Sequence, residues 1–351
     1  MISELSSDDE YYDDLIDKEI KILRRKKEEI RFTMQHIDGG LPNIIEARDN
    51  HYKYLRYIIK KKLNGPAFSE EPPVFGMDRI RKVNIVSNRI ADFINDEDNL
   101  KTILIGTPQE LDTIKHRFSS ATTKPFLKDL INYDKWIDKG LGTTYKFYNA
   151  YDLAIKLDIP TCIYCNRIYT KTVEVSASKK ITRPTFDHWF PKSKYPLLAL
   201  SFYNLIPSCS VCNTGVKGTS EFTLATHFHP YYRNSAVDFE YTFSYDHKDY
   251  DKFTFKIKSK NEFSKRSVEA FQLEDIFKAH EDEIEDLRKI KYAYSDKYID
   301  ILERDILGRS VSLSREDVYR LAFGVHFQEA NFDRRPLSKM KKDILKELGI
   351  I

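Results

Sequence analysis

All four cysteines of the chain fall in two Cys-x-x-Cys pairs, a spacing that indicates a metal site. Four cysteines in 351 residues are too few for a disulfide framework. A Cys-x-x-Cys turn can direct two thiolates at one ion, and two such turns complete a closed tetrahedral zinc site with no open position for a substrate. The sequence therefore predicts a structural Zn²⁺, and the alternative is a set of buried cysteines without metal. The predicted ligands are Cys162, Cys165, Cys209 and Cys212.

The segment between the two pairs carries polar residues that could act on a phosphate. Cys165 and Cys209 are 44 positions apart, whereas a compact zinc ribbon separates its pairs by roughly 15 to 20 residues. Asp187 and His188 are adjacent within this segment, and Asn213 directly follows the last cysteine. Carboxylate and amide oxygens suit Mg²⁺ or Mn²⁺, and an imidazole with a pKa of about 6.5 can serve as general base. This combination suits hydrolysis of a phosphodiester, which needs charge neutralisation and an activated water.

The order of these features resembles the ββα-metal site of HNH endonucleases, in the form in which Cys-x-x-Cys knuckles bracket the motif and the third position is Asn. The resemblance covers residues 161–219. It implies a metal-dependent endonuclease that hydrolyses phosphodiester bonds in DNA, with Asp187 and Asn213 as ligands of a catalytic Mg²⁺ or Mn²⁺. It also implies that His188 is the general base and that the amide of Asn204 supports the loop beside the His-bearing strand.

The Asp187-His188 dipeptide raises a geometric question. Neighbouring residues of a regular strand point to opposite faces, so these two side chains could not share one site unless the strand twists or bulges. The resemblance implies such a distortion, which would let the imidazole reach the attacking water. The alternative is a salt-linked Asp-His pair in a zinc-stabilised domain that binds nucleic acid without cleaving it.

Three lysines near the motif are candidate contacts to nucleic-acid phosphates. Lys217 lies four residues after Asn213, about one helical turn further on, and Lys192 and Lys194 follow the Asp-His pair. Each could neutralise a backbone phosphate. The alternative is that these lysines are ordinary solvated surface charges.

The resemblance also implies a biological setting. Bacterial chains that carry this module are often effectors of anti-phage defence, in some cases gated by a partner ATPase, as in PtuB-like nucleases. The chain has no Gly-x-x-x-x-Gly-Lys-Ser/Thr phosphate loop, so ATP hydrolysis would belong to a partner. We therefore expect a defence nuclease. The alternatives are a nuclease subunit that is silent until a partner ATPase or sensor acts, and a catalytically silent zinc-ribbon nucleic-acid-binding module.

Charge and hydropathy are compatible with DNA as the partner and give no sign of a membrane segment. Residues 1–17 hold seven acidic residues and no Lys or Arg, so the net charge of +3 divides into −7 there and +10 in the rest. A basic body suits a polyanion, and the sequence leaves RNA open as a substrate. Without an apolar run of about 18 residues or a basic signal segment, the chain is expected to be cytoplasmic.

These features must be positioned by a fold that we predict to be of the α+β class. We expect a mostly α-helical chain with a central zinc-stabilised ββα-metal module and a C-terminal β-hairpin followed by helices. The expected divisions are an acidic, mobile tail (1–17), a helical N-terminal region (18–150), the nuclease module (151–235) and a hairpin and helical region (236–351). Helices are expected near 15–34, 51–63, 78–95 and 108–117, and a capping box at Ser314 starts a later one.

Overall fold

The computed structural model describes a chain that is mostly helical with short antiparallel strands, as expected for the predicted α+β class. The described residues are 37, 41–64, 77–138, 140–143, 146–176, 179–232, 241–249, 252–259, 261–294, 298–302, 304 and 313–351. The predicted acidic tail and the helix at 15–34 lie outside them. Among the described helices, none combines the length and low polarity needed to cross a bilayer.

The N-terminal region is helical, as the periodicity predicts. Its helices are α1 (Pro42–Leu63), α2 (Met77–Asn95), α3 (Glu97–Ile105), α4 (Pro108–Ile114), α5 (Lys124–Leu130), α6 (Tyr133–Asp138) and α7 (Ala150–Leu157). Between α6 and α7, β1 (Leu141–Thr143) pairs with β2 (Lys146–Tyr148). Helix α1 starts with Pro42, where the missing N–H costs no helical hydrogen bond, and it buries one face through Ile44, Leu55 and Ile59. A capping box at Asn149 starts α7.

Two hairpins and a short helical segment form the central part. Strands β3 (Val173–Ser176) and β4 (Lys179–Thr182) form an exposed hairpin. Strands β5 (Thr185–His188) and β6 (Leu205–Ser208) pair antiparallel and are buried almost throughout. A π-helix (Val211–Lys217) follows β6. This strand–strand–helix order is the one that positions the candidate site.

The C-terminal part contains the predicted hairpin and helices. Strand β7 (Tyr241–Asp249) pairs with β8 (Lys252–Ser259). The helices are α8 (Glu262–Ala270), α9 (Leu273–Lys278), α10 (Glu281–Tyr294), α11 (Tyr298–Ile301), α12 (Arg315–Phe323) and α13 (Ser338–Glu347). The capping box predicted at Ser314 is confirmed, since its side chain accepts from the N–H of Asp317 while Asp317 reaches back to the N–H of Ser314.

The C-terminal segment contacts the first cysteine pair. The N–H of Leu337 donates to the carbonyl of Asn166 at 2.6 Å. The Asn166 amide in turn donates to the carbonyl of Phe332 at 2.8 Å. These bonds attach the chain terminus to the turn that carries Cys162 and Cys165.

A buried histidine joins the N-terminal helices to the central part. His51 of α1 is fully buried; its Nε2 donates to the carbonyl of Leu200 at 2.7 Å and its Nδ1 accepts from the hydroxyl of Tyr148 at 2.9 Å. Because a carbonyl can only accept, both ring nitrogens have defined roles. The Ser201 hydroxyl donates to the Ile103 carbonyl of α3 beside this contact. The hydrophobic core is therefore continuous across the boundary that the sequence suggests near residue 150.

His51 should make stability depend on pH in a defined window. Burial lowers the pKa of His51 to about 4, so the folded protein keeps this ring neutral while the unfolded chain protonates it near pH 6.5. The unfolded state binds more protons in this range, and stability falls as the pH drops from about 6.5 to 4, by about 3 kcal/mol for this one group. Urea unfolding of wild type and His51→Gln across this range should show a shallower slope for the variant. Parallel pH profiles would contradict the assignment.

Candidate functional site

The four cysteines converge on one point. Their sulfur atoms all lie within 4.8 Å of one another, and all four residues are buried. A tetrahedral zinc ion with Zn–S bonds of about 2.3 Å holds its sulfurs about 3.8 Å apart. The donor set therefore fits one zinc ion with small adjustments. Burial raises the pKa of the Cys162 thiol, and a divalent cation offsets that effect because it stabilises thiolates.

Hydrogen bonds position the first cysteine pair against β6 and close the turn of the second pair. In the first turn, the N–H of Asn166 donates to the carbonyl of Cys162 at 2.9 Å. The N–H of Ile163 donates to the carbonyl of Pro207 in β6 at 3.4 Å, which brings this turn to the strand that leads into the second pair. In the second turn, the N–H of Cys212 donates to the sulfur of Cys209 at 3.4 Å.

Asp187 is a buried carboxylate with partners on both oxygens. Its Oδ1 lies 3.1 Å from the ammonium of Lys217, and its Oδ2 accepts from the hydroxyl of Tyr164 at 2.7 Å. The same ammonium donates to the backbone carbonyl of His188 at 2.8 Å. Burial raises the pKa of Asp187, while Lys217 and Tyr164 act in the opposite direction. The side chains of Asp187 and Lys217 are only 2% and 0% exposed, so this is a buried ion pair.

This arrangement does not fit the divalent cation that the resemblance implies. A ligand carboxylate must present an oxygen lone pair to the ion and accommodate its water shell. Asp187 instead directs one oxygen at an ammonium and the other at a hydroxyl, both away from solvent. Asn213 is half-buried at the start of the π-helix, and no hydrogen bond between its side chain and Asp187 occurs in the described part of the chain. The pair remains a predicted ligand set.

The surroundings of Lys217 do not suit its predicted role as a phosphate contact. The prediction assumed an α-helix, in which residues four apart share a face. The segment instead forms a π-helix, in which the N–H of Gly218 donates to the carbonyl of Asn213 at 2.8 Å, a five-residue spacing. Cys212 and Lys217 are buried and Asn213 is only partly buried, so the lysine side chain lies on the inward side of this segment. It is therefore a buried partner of Asp187 and is not available to a phosphate.

His188 occupies a different environment from Asp187. Its Nε2 lies 2.9 Å from the carbonyl of Ala199, and its ring lies edge-on to Tyr133 at 4.4 Å between centroids. Because a carbonyl only accepts, Nε2 carries the proton and Nδ1 has the free lone pair. Burial lowers the pKa of His188 to about 3, with a smaller contribution from the charge of Lys192. The imidazole is therefore neutral at physiological pH and able to accept a proton at Nδ1.

The predicted distortion of the His-bearing strand is absent. Strands β5 and β6 pair without a register shift, with Asp187 opposite Ile206 and His188 opposite Leu205. The side chains alternate accordingly: Phe186 contacts Trp136 and His188 contacts Tyr133, both in α6, whereas Asp187 points to the cysteine side. Asp187 and His188 therefore lie on opposite faces of β5. A regular ladder leaves no extra residue to turn the imidazole around.

Asn204 makes the loop contacts that the resemblance implies for it. Its Oδ1 accepts from the N–H of Phe190 at 2.7 Å. Its Nδ2 donates to the carbonyls of Phe190 and Leu198 at 3.1 and 2.9 Å. All three bonds are buried and close the loop between β5 and β6 on itself. The loop includes Ala199, whose carbonyl fixes the His188 ring.

The two other predicted lysines are at the surface with acidic partners. Lys192 lies 2.7 Å from Asp134, and Lys194 lies 2.5 Å from Glu221; both lysines are about half exposed. Both ammonium groups are accessible to a phosphate, in contrast to that of Lys217, and their role as phosphate contacts stays a prediction. Tyr164 and Tyr133 were missed by the sequence analysis. Only the position of Tyr164 inside the first Cys-x-x-Cys turn could have drawn notice to it.

Comparison of the chain with protein-family models, with curated proteins and with solved structures finds no match. A function must therefore be argued from the site itself.

Zinc should bind in one equivalent and stabilise the fold. We expect wild type to retain zinc after gel filtration and Cys209→Ser to lose most of it, because the remaining three sulfurs cannot complete the tetrahedron. Apparent zinc-binding free energies at such sites are on the order of 10 kcal/mol, so the variant should melt at a clearly lower temperature. Ser210→Ala, an exposed substitution in the same turn, is the matched control. Metal analysis that finds equal zinc in all three proteins would contradict the assignment.

The buried ion pair should be visible in a double-mutant cycle. Lys217→Met leaves the Asp187 carboxylate buried beside Tyr164 alone, and breaking a buried pair in this way costs about 3 to 5 kcal/mol. Asp187→Asn in the same chain removes the uncompensated charge and should recover part of that loss. The measurement is urea unfolding of wild type, both single variants and the double variant. Additive effects would show that the two groups are not coupled.

Proposed function

We propose that this chain is an HNH-type endonuclease that hydrolyses phosphodiester bonds in DNA, with His188 as the general base. The observation that carries the proposal is the defined tautomer of His188. One ring nitrogen is held by the carbonyl of Ala199, and the other has no hydrogen bond within the described residues. A base needs this combination of a fixed orientation and a free lone pair. Support also comes from the order of cysteine pairs, Asp-His, Asn204 and Asn213 along the chain.

The proton transfer can be written for His188 alone. A water oxygen forms a bond to phosphorus and its proton goes to Nδ1. The bond from phosphorus to the leaving oxygen breaks with its electron pair on that oxygen, which then takes a proton from solvent. The pKa of about 3 makes the isolated ring a weak base. A phosphate bound beside it would raise that pKa, because a nearby negative charge favours imidazolium. Asn204 contributes by holding the loop that aligns the ring.

The implied Mg²⁺ or Mn²⁺ requires a rearrangement around Asp187. Both oxygens of Asp187 already have protein partners, so the carboxylate has no free position for that ion. Binding of a divalent cation there would require the Lys217 ammonium to move away. The dependence of cleavage on a metal ion is therefore tested by comparing Mg²⁺, Mn²⁺ and EDTA.

Both oxygens of Asp187 are occupied by protein partners. This favours one alternative, a nuclease that is silent until a partner acts. A partner ATPase or sensor could shift the π-helix that carries Lys217 and so release the carboxylate. The role in anti-phage defence rests on the resemblance and is part of the same proposal. A catalytically silent zinc-ribbon nucleic-acid-binding module is the other alternative, and it differs in needing no role for His188.

Plasmid nicking tests the proposal directly. We expect wild type to convert supercoiled DNA to open circles at a stated salt concentration with Mg²⁺ or Mn²⁺, and less or not at all with EDTA. His188→Ala should lower the rate by about 10²- to 10⁴-fold, the usual contribution of a general base. His326→Ala, a histidine in the C-terminal part of the chain, is the matched control and should nick at the wild-type rate.

Two results would count against the proposal. Equal nicking by wild type and His188→Ala would assign the base to another residue. Intact plasmid with wild type under every condition would favour the partner-gated or the silent-binding alternative, and addition of the partner would then distinguish these two.

A further inference from the structure

A pocket of about 440 Å³ lies beside the candidate base, on the face of β5 that His188 occupies. Two of its lining residues contact the imidazole directly. Tyr133 packs edge-on against the ring, and Ala199 provides the carbonyl that accepts from Nε2. The pocket is therefore lined by residues that contact His188. Asp187 faces the opposite side and does not line it.

The rim of the pocket is basic. Lys124 and Lys128 of α5 and Lys192 of the β5–β6 loop line it, together with a single acidic residue, Asp134. Lys124 has no acidic partner in the described part of the chain. The local charge is thus positive, and it comes from two segments that are distant in sequence. Such a rim is complementary to a phosphate.

Asp134 is an anionic side chain that lies between two of these lysines. Its carboxylate lies 2.7 Å from the ammonium of Lys192 and 3.3 Å from that of Lys128. The Lys192 hydrogen bond lowers the pKa of Asp134 below its usual range, so the group is ionised at physiological pH. An exposed carboxylate of this kind holds its partners only weakly. A phosphodiester carries the same single negative charge and can compete with this carboxylate for the two ammonium groups.

The wall behind the rim is apolar. It includes Pro125, Ile131 and Pro196, and the ring of Tyr133. The volume falls within the range of about 300 to 1,000 Å³ that is typical of small-ligand pockets. An apolar wall with a cationic rim matches a nucleotide, whose sugar and base are weakly polar and whose phosphate is charged.

We propose that this pocket binds one nucleotide of the DNA strand, with its phosphate replacing Asp134 as the partner of Lys128 and Lys192. The inference rests on the proposed function and deepens it, because it assigns the strand to the His188 face of β5. The phosphate held at the rim is next along the strand to the scissile phosphate, at which His188 would activate water. Asp134 lowers affinity for the strand until that phosphate displaces it.

Binding of a fluorescently labelled single-stranded DNA oligonucleotide tests the assignment. Anisotropy is measured at several salt concentrations on a His188→Ala background, so that the strand stays intact. We expect Lys192→Ala to weaken binding roughly 3- to 10-fold and to reduce the slope of log affinity against log salt by about one. Asp134→Asn should strengthen binding by a similar factor, because it frees two lysines.

The chain offers a control pair with matched exposure. Lys156 and Glu46 form an ion pair between α7 and α1, with side chains 46% and 58% exposed, compared with 42% and 53% for Lys192 and Asp134. Lys156→Ala and Glu46→Gln change the net charge by the same amounts as the two test variants. We expect both controls to bind the oligonucleotide as the parent does. An unlabelled mononucleotide in the same assay should compete only weakly, because it lacks the rest of the strand.

A second measurement is independent of any substitution. Lysine acetylation followed by mass spectrometry should show that the oligonucleotide protects Lys124, Lys128 and Lys192 but not Lys156. If the parent binds DNA while test and control variants behave alike and the three lysines stay reactive, the pocket assignment is overturned and the proposed function survives. If wild type neither binds nor nicks DNA, the proposed function fails and the pocket assignment fails with it.

Discussion

The convergence of four sulfurs is the constraint on which the rest of the site depends. The two cysteine pairs are far apart in sequence, and their sulfurs lie within 4.8 Å of one another. The first pair encloses Tyr164, and the second begins the π-helix that ends at Lys217. Bringing the pairs together therefore delivers a hydroxyl and an ammonium to the same carboxylate, Asp187, from two directions. A zinc ion in this position would set the surroundings of Asp187 by fixing the backbone on both sides.

Strand β5 divides the site into two environments. On one face, Asp187 belongs to a closed polar network with the cysteine turns. On the other face, His188 belongs to the N-terminal helices, through Tyr133 of α6, and to the loop that Asn204 closes. The same loop is attached to α1 by His51. The N-terminal region is consequently a part of the catalytic candidate's surroundings, although its sequence carries no motif that would have indicated this role.

Local patterns predicted what depends on local physics. Cys-x-x-Cys spacing found the four cysteines that converge, helical periodicity found the helices around 51–63 and 78–95, and alternation of aromatic residues found the C-terminal hairpin. Contacts between distant segments could not be predicted from such patterns. No sequence pattern shows that Tyr164 reaches Asp187, because the pairing depends on how two turns approach in space.

Lys217 shows why even a well-placed residue can be misread. A lysine is ordinarily exposed, and a four-residue spacing from Asn213 suggests one shared helix face. The structure instead buries this side chain, with its ammonium 3.1 Å from Asp187. The regular ladder of β5 similarly overrode the distortion expected at Asp187 and His188. In both cases tertiary packing and backbone geometry, which the sequence does not display, decide the direction of a side chain.

The ionisable groups buried around this small sheet carry an energetic cost. Two strands of four residues each bury Asp187 and His188, with Asn204 directly before the second strand and Lys217 in contact with Asp187 of the first. Replacing a buried ion pair by well-packed apolar side chains is often neutral or stabilising by about 1 to 4 kcal/mol. A module that served only to hold zinc would gain from such a replacement. Burial of ionisable groups in this density, with a neutral imidazole fixed in one tautomer, is typical of sites that do chemistry.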